Sequence, residues 1–445
     1  MKKFQRRWRL FSWFISAFFQ KHKLFLIFGF LAGILLFLGI LKLATTVSLP
    51  FEFQKTKKVA IVGNFTPADL PPEILDLISL GLTSLSPAGE ASPSLALKWE
   101  IKDNGKTYLF HLKDSVFWQD GSKFSASDVN YNLKDVKIEA LDNLNLKVTL
   151  KEPFSPLPTI FARPLFKKGL IGLGRYKINR LKLKGDQVEF LSLSSVADNL
   201  PPLEFKFYPN EQTAVTAFKL GEVSILEKIE NIQEFNHDKN ILVNKAVYYN
   251  FNIVAFYNNH LPFFQSKANR QALSYAIPNL KEEKTLSPLN PNSWAYYPKV
   301  KDYTYNFNLA EQLFEKPSAT SSSKLTISTF PSFLNLAQAI AKSWTELGLK
   351  VNVKIENSFP TNFDVLLASQ EIPADPDQYH LWHSTQTTNI TGFSNPRVDK
   401  LLEDGRKTLD REERLKIYQD FQKYLMEEAP AAFLFHPTLY TVERI

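Results

Sequence analysis

Apolar and polar side chains alternate along residues 107–112, TYLFHL, and this period of two predicts a strand with one buried face. Asp120 and Gly121 then predict a chain reversal, because glycine tolerates a positive φ and aspartate can bond its own backbone. Ser125 and Asp128 have the spacing of a capping box and predict the start of a helix. The tract therefore predicts strand, turn and helix in quick succession, an arrangement that serves many folds and identifies no function.

Strand and helix patterns alternate most clearly within residues 324–369. KLTISTF predicts a strand, and SFLNLAQAIAKSWTELGL predicts a helix capped by Ser332 and stopped by Gly348. KVNVKIE and FDVLLAS predict two further strands, so the segment predicts an α/β layer with crossover connections. Residues 71–85 predict an earlier helix, and residues 397–430 close the chain with two amphipathic helices.

An uninterrupted run of eighteen apolar or glycine residues occupies 24–41, about the length needed to cross a hydrocarbon core of roughly 30 Å. It predicts a transmembrane helix between a basic N-terminus at 1–23 and a spacer at 42–57. Seven of the eight lysines and arginines within 1–42 precede the run, which predicts a cytoplasmic N-terminus and an extracytoplasmic body. A cleaved signal peptide is the rival interpretation, which the length of the run and the lack of a clean small-residue cleavage site disfavour.

The net charge of +8 is concentrated at the N-terminus, because residues 1–42 hold eight basic residues and no acidic one. Residues 43–445 are therefore neutral overall, which removes the main support for a nucleic-acid partner. The chain contains no cysteine. We therefore expect no disulfide, no cysteine nucleophile, no thiolate metal site and no lipid-modified cysteine.

Five ordered motifs cover about residues 58–440. The first, LALKWEIKDNGKTYLFHLKDSVFWQDGSKFSASDV, contains a tryptophan-bearing strand, an Asn-Gly turn, a second strand, a W-x-D-G turn and a helix start. The others are LPFFQSKANRQALSYAI, SPLNPNSWAYYP, FDVLLASQEIPADPDQYHLW and GFSNPRVDKLLEDGRKTLDREERLKIYQDFQKYLMEEAP. Together they resemble the family 5 extracellular solute-binding proteins, the peptide- and nickel-binding components of ABC importers.

The resemblance implies an α/β fold of the periplasmic-binding-protein-like type II at 58–445, with two hinged lobes, a reduced middle lobe and a ligand cleft between lobes. The expected segments are about 58–85, 175–255 and 421–445 for lobe I, about 86–174 for the middle lobe and about 256–420 for lobe III.

The same resemblance implies a site for the α-amino group of a peptide in the segment ADPDQYHLW. Asp375 and Asp377 occupy the region where peptide-binding relatives present a carboxylate, and a partly buried ammonium needs such a partner. Tyr379 and Trp382 are expected to line the cleft. The alternatives are a solvated Asp-Pro turn for the carboxylates and plain core packing for the aromatic side chains.

His380 and His383 have a spacing that could place them on one helix face as metal ligands, and the family includes nickel-binding members. Two histidines are an incomplete site, so we predict no metal and no cofactor, with this pair as the weak candidates. Arg270 is expected to support its lobe through a carboxylate. The chain has no G-x-S-x-G, Walker or H-E-x-x-H motif, which predicts that it is not an enzyme.

The sequence therefore predicts a membrane-anchored, extracytoplasmic substrate-binding protein of an ABC importer, with a monomeric binding domain. It is expected to bind oligopeptides in an interlobe cleft and to deliver them to a permease in the membrane. One alternative is a cell-surface interaction or sensing protein that retains the fold without import. A minor alternative is the binding of nickel or a metal chelate.

Overall fold

The computed structural model describes residues 13, 21–46, 55–196, 200–235, 239–315 and 324–445. The chain divides into two compact units, Met1–Lys55 and Thr56–Ile445. Most of the predicted cytoplasmic segment and half of the predicted spacer, residues 47–54, lie outside the described residues.

In the first unit, helix α1 spans Lys23–Thr46 and includes the apolar run at 24–41. Among the described residues, none of the helices has both the length and the apolar character that crossing a membrane requires. The membrane anchor therefore stays a prediction from the sequence.

In the second unit, strands and helices alternate along most of the chain. The strands are β1 (Lys57–Val62), β2 (Thr83–Leu85), β3 (Ala91–Pro93), β4 (Ala96–Lys102), β5 (Thr107–Leu112), β6 (Val136–Ala140), β7 (Asn145–Leu150), β8 (Tyr176–Lys184), β9 (Gln187–Ser195), β10 (Leu203–Tyr208), β11 (Ile225–Ile229), β12 (Ile241–Val247), β13 (Phe251–Tyr257), β14 (Glu283–Lys284), β15 (Lys324–Thr329), β16 (Lys350–Ile355), β17 (Val365–Glu371), β18 (Ala431–His436) and β19 (Thr438–Arg444). The helices are α2 (Pro72–Ile78), α3 (Leu157–Ile160), α4 (Glu211–Lys219), α5 (Pro262–Gln265), α6 (Lys267–Tyr275), α7 (Phe307–Leu313), α8 (Leu334–Glu346), α9 (Tyr379–Trp382), α10 (Pro396–Lys407) and α11 (Arg411–Glu428).

A seven-stranded sheet has the order β12-β19-β11-β1-β10-β9-β8. Its strand β1 runs parallel to β10 and β11, so the carboxyl ends of these three strands lie at one edge. Two clusters of apolar side chains cover the sheet, one of them including Phe218 of α4. This sheet collects segments from the start, the centre and the end of the chain, as the predicted lobe I does.

A six-stranded sheet has the order β14-β18-β13-β17-β15-β16, with β15 parallel to both β16 and β17. Helix α8 packs on one side of it, where Trp344 is fully buried among apolar strand residues. Helices α10 and α11 pack in a second cluster, which includes Phe421. Each of these three helices therefore buries its apolar face against apolar side chains of the sheet.

The middle segment forms a four-stranded sheet of order β4-β5-β7-β6. Strand β5 confirms the alternation at 107–112, since Tyr108 and Phe110 are fully buried. The predicted helix start at Ser125 is only a single 3₁₀ turn, Ala126–Asp128, although the capping box is present. The chain does not continue as a helix because the next residue, Val129, takes an extended backbone conformation with φ −77° and ψ 110°.

The chain passes between the seven-stranded and six-stranded sheets at two places. One crossing, at 248–250, joins β12 to β13, and the other, at Pro437, joins β18 to β19. Strands β13 and β18 pair directly in the six-stranded sheet. The lobe limits expected from the sequence, at 255 and 421, would divide this sheet between lobe I and lobe III. The two crossings are therefore better limits for the lobes, whose assignment stays a prediction.

Candidate functional site

Asp375 follows strand β17 and is held by an arginine from helix α11. The two guanidinium nitrogens of Arg414 donate to the two carboxylate oxygens of Asp375, at 3.1 Å to Oδ2 and 2.5 Å to Oδ1. Arg414 also donates from Nε to the carbonyl oxygen of Gly405 at 2.8 Å. Both residues are buried, with exposed fractions of 8% for Asp375 and 7% for Arg414. The carboxylate is therefore engaged in a bidentate ion pair within the protein.

Burial alone would lower the pKa of Arg414, but the charge of Asp375, the charge of Tyr418 and the hydrogen bonds to both side chains together raise that pKa. Sequence reasoning missed this partner. A signal was present, because Arg414 lies at helical spacing from the buried Tyr418 and Leu425. An arginine on an apolar helix face needs a buried acceptor.

Asp377 forms a second ion pair, in which the guanidinium of Arg406 donates to its Oδ2 at 2.9 Å. Burial raises the pKa of Asp377, and the nearby charge of Asp375 raises it further against the opposing effect of Arg406. The ring of Tyr379 lies 4.0 Å from the Arg406 guanidinium and stacks on His383 at a centroid distance of 4.1 Å. Asp377 and Tyr379 thus meet around one arginine.

Trp382 lies in the core and does not line a cleft. Its side chain is 1% exposed and packs against Phe433 with ring centroids 5.7 Å apart. Its indole N–H donates to Oε1 of Gln378 at 3.0 Å, so its polar atom is satisfied inside the protein. This placement corrects the expected cleft-lining role, because the apolar indole gains more from burial beneath β13 and β18.

The two histidines do not share a ligand set. His383 is buried and contacts Glu403 at 3.3 Å through Nε2, whereas His380 is exposed. Helix α9 ends at Trp382, so His383 already lies beyond the helical turn. In the part of the chain that the structure describes, no group of three or more His, Cys, Asp and Glu residues could hold a metal ion.

Arg270 supports its surroundings mainly through backbone carbonyls. Its Nε and one terminal nitrogen donate to the carbonyl oxygen of Glu428, at 3.0 and 2.7 Å. The expected carboxylate contact is also present, at 3.5 Å to the side chain of Glu428.

A cavity of 190 Å³, the Asp375 cavity, lies where the middle segment meets the six-stranded-sheet segment. The middle segment approaches closely here: a Cβ on Gly89 would lie 2.1 Å from the carbonyl oxygen of Ala374. The charged and aromatic residues around the cavity are Glu90, Trp99, Trp294, Asp375, Arg411 and Arg414. Arg411 donates to Glu90 at 2.7 Å, so the four charges form two internal pairs.

A cavity of 630 Å³, the intersheet cavity, is lined by residues of both larger sheets and of the crossing at Pro437. Glu230 follows the carboxyl end of β11, and Phe333 follows the carboxyl end of β15. In open α/β sheets, ligands bind in the crevice outside the carboxyl ends of the strands. Sequence reasoning missed this cavity. The residues that directly follow the predicted strands could have indicated it, because ligands bind at the carboxyl ends of strands.

The comparisons with known proteins agree with this architecture. The family model "bacterial extracellular solute-binding proteins, family 5 middle" matches residues 90–392, more than half of the chain. A di/tripeptide-binding protein from Pseudomonas aeruginosa is 23% identical over 438 residues, covering 78% of this chain and 81% of that protein.

Solved structures share the fold. NikZ from Campylobacter jejuni, in complex with Ni(L-His), matches with a TM-score of 0.74 and 25% identity over 87% of this chain and 94% of that one. The oligopeptide-binding protein AppA from Bacillus subtilis, in complex with a nonapeptide, matches with a TM-score of 0.71 and 19% identity over 88% and 95%. The chain belongs to the bacterial extracellular solute-binding proteins of family 5.

Proposed function

We propose that this chain is the substrate-binding protein of an ABC importer, which binds peptides between its two larger sheets and delivers them to a permease. The observation that carries the proposal is the intersheet cavity. Its volume of 630 Å³ lies within the range of roughly 300 to 1,000 Å³ that is usual for ligand sites, whereas the 190 Å³ of the Asp375 cavity falls below it.

The two chain crossings give the cavity a mechanism for capture. A hinge needs few connections, and 248–250 and Pro437 are the points at which the chain passes between the sheets. A ligand that contacts both sides stabilises the closed arrangement by its differential affinity for that state. A third cavity, of 670 Å³, is lined only by the seven-stranded-sheet segment, including Asn64 and Lys206, and cannot respond to such closure.

Peptides are the proposed ligand class because peptide-binding proteins stand among the relatives, including the di/tripeptide-binding protein from Pseudomonas aeruginosa. The resemblance still offers Asp375 and Asp377 for the ammonium contact and Tyr379 as a cleft-lining residue, although none of the three lines the intersheet cavity. Both carboxylates have arginine partners within the protein, so an ammonium group would have to join or displace an existing ion pair.

The proposal places the second unit outside the cytoplasm and anchors it through the apolar run at 24–41, on the sequence pattern alone. An anchored chain should remain with the membrane fraction after alkaline carbonate extraction. Release into the soluble fraction would remove the anchor from the proposal and leave ligand binding unaffected.

Thermal denaturation of the full-length chain with a library of short peptides tests the ligand class. A peptide present at about 100 times its Kd should stabilise the folded state by about 2.7 kcal/mol, because it binds the folded state alone. No stabilisation by any library member would refute peptide binding.

A surface interaction protein that retains the fold is the second candidate. The observation in its favour is the internal pairing of both predicted ammonium contacts, Asp375 with Arg414 and Asp377 with Arg406. A fold that no longer captures peptides could keep its carboxylates neutralised in this way. This candidate predicts no peptide stabilisation and capture of a protein partner at the cell surface.

A further inference from the structure

Four charged side chains line the intersheet cavity, one acid and one base from each side. Glu230 and Lys245 belong to the seven-stranded-sheet segment, and Lys281 and Glu282 belong to the loop before β14 of the six-stranded sheet. Among the described residues, none of these four makes an ion pair. All four residues are exposed, so the rim of the cavity presents two unpaired, solvated charges of each sign.

The Asp375 cavity provides the contrast. There, Glu90 is paired with Arg411 and Asp375 is paired with Arg414. Those charges are already neutralised by the protein, whereas the charges of the intersheet cavity are available to a ligand. Although Glu230 is an exposed residue, partial desolvation of its carboxyl raises the pKa of that group, and the nearby charge of Glu211 adds to this effect.

The remaining lining suits the body of a short peptide. Phe333, Leu336, Phe435 and Tyr440 provide apolar and aromatic surface between the charges. Helix α8 begins at Leu334 with no acidic residue in its first turn, so its positive dipole end adds to the lysines as a favourable place for a carboxylate.

We propose that the intersheet cavity recognises both ends of a short peptide, with Glu230 and Glu282 receiving the α-ammonium group and Lys245 and Lys281 receiving the α-carboxylate. This inference rests on the proposed peptide-binding function and gives it a different site from Asp375 and Asp377. Each sheet segment supplies one partner to each end of the peptide, so the peptide bridges the two segments and favours the closed arrangement.

The required ligand is a zwitterion with both termini free. Hydrogen bonds to charged groups are worth about 1.5 to 3 kcal/mol, which corresponds to a loss of roughly tenfold to 150-fold in affinity when one end is blocked. Acetylation removes the ammonium and amidation removes the carboxylate, so the two blocks report separately on the acidic and the basic residues.

Isothermal titration of the full-length chain with alanine peptides of two to five residues tests this site. We expect the free peptides to bind, and the N-acetyl and C-amide forms to bind at least about tenfold more weakly. Lys245→Gln and Lys281→Gln should weaken the free peptide and the acetylated peptide, but leave the affinity of the amidated peptide unchanged. Glu230→Gln and Glu282→Gln should show the opposite pattern, which a merely structural role would not produce.

Lys342→Gln and Glu346→Gln are matched controls, because both residues lie on α8, are exposed and do not line the cavity. Both controls should bind every peptide as the unmodified chain does. Free peptides that bind equally well to the unmodified chain and to all four cavity variants would overturn this site while leaving the proposed function in place. If the unmodified chain binds no free peptide in the series, both the site and the proposed function fail.

Discussion

Replacement of Asp375 by asparagine should unfold this protein more readily rather than simply prevent ligand capture. The substitution keeps the size of the side chain and removes its charge, leaving Arg414 as a buried cation. The side chains of Asp375 and Arg414 are 11% and 9% exposed, so solvent cannot replace the lost partner. Removing one member of a buried ion pair costs about 3 to 5 kcal/mol.

The lower end of that range, about 3 kcal/mol, is the appropriate expectation for Asp375→Asn. Arg414 keeps its hydrogen bond to the carbonyl oxygen of Gly405, and its guanidinium stays 5.6 Å from the ring centroid of Trp294. The double variant Asp375→Leu with Arg414→Met removes both charges and should recover much of the loss, because an apolar pair needs no internal partner.

Urea denaturation followed by tryptophan fluorescence measures these free energies of unfolding. Asp186→Asn is the matched control, since Asp186 lies at the exposed turn between β8 and β9, and it should change stability by less than about 0.5 kcal/mol. The reasoning is refuted if Asp375→Asn costs less than about 1 kcal/mol while peptide affinity collapses. That result would instead restore Asp375 as the ammonium contact.

Three further substitutions test the local arguments. Trp382→Ala should cost about 3 to 5 kcal/mol of stability in urea denaturation, because the indole is 1% exposed, and a small cost would place it outside the core. The raised pKa of Asp377 means that its protonation stabilises the fold at low pH and that this stability is lost as the pH rises through the folded-state pKa. Urea denaturation across pH 7 to about 4.5 should therefore show the unmodified chain gaining stability relative to Asp377→Asn as the pH falls; a gain on raising the pH would contradict the sign. Gly89→Ala should destabilise the contact of the middle segment, because Gly89 has a φ of 78° and its Cβ would meet the carbonyl oxygen of Ala374; limited proteolysis that is unchanged would argue against this.

Local patterns predicted the elements whose causes are themselves local. Strand β5 follows the alternation at 107–112, and the two closing helices follow the apolar spacing within 397–430. The start of helix α11 also has a local cause, because the side chain of the preceding Asp410 accepts a hydrogen bond from the backbone N–H of Glu413 at 2.9 Å.

Tertiary contacts decided the elements that local patterns misjudged. The helix expected at 71–85 ends at Ile78, because the chain then passes against the middle segment, where a Cβ on Gly81 would lie 2.5 Å from the carbonyl oxygens of Phe161 and Ala162. The helix expected to be capped by Ser332 begins instead at Leu334, after the 3₁₀ turn Pro331–Phe333.

For the candidate site around Asp375 and Asp377, the sequence predicted the position in the chain but not the residues that contact the two carboxylates. The segment with Asp375 and Asp377 does hold buried carboxylates, yet their partners lie 39 and 29 residues further along, on helices α11 and α10. Such pairing depends on how the helices dock, which sequence spacing does not contain. The charges of the intersheet cavity could not be predicted from the sequence for the same reason. Glu230 and Lys281 line one cavity only because the two chain crossings bring their sheets together.

Native mass spectrometry of the full-length chain as isolated from cells tests the central claim most directly, followed by denaturation and sequencing of whatever is released. The account predicts a bound population of short peptides with free termini, which disappears when Lys245 and Lys281 are both replaced by glutamine. A protein that is isolated empty, and that takes up no peptide when mixed with the alanine series, would contradict the claim that this chain is a peptide receptor.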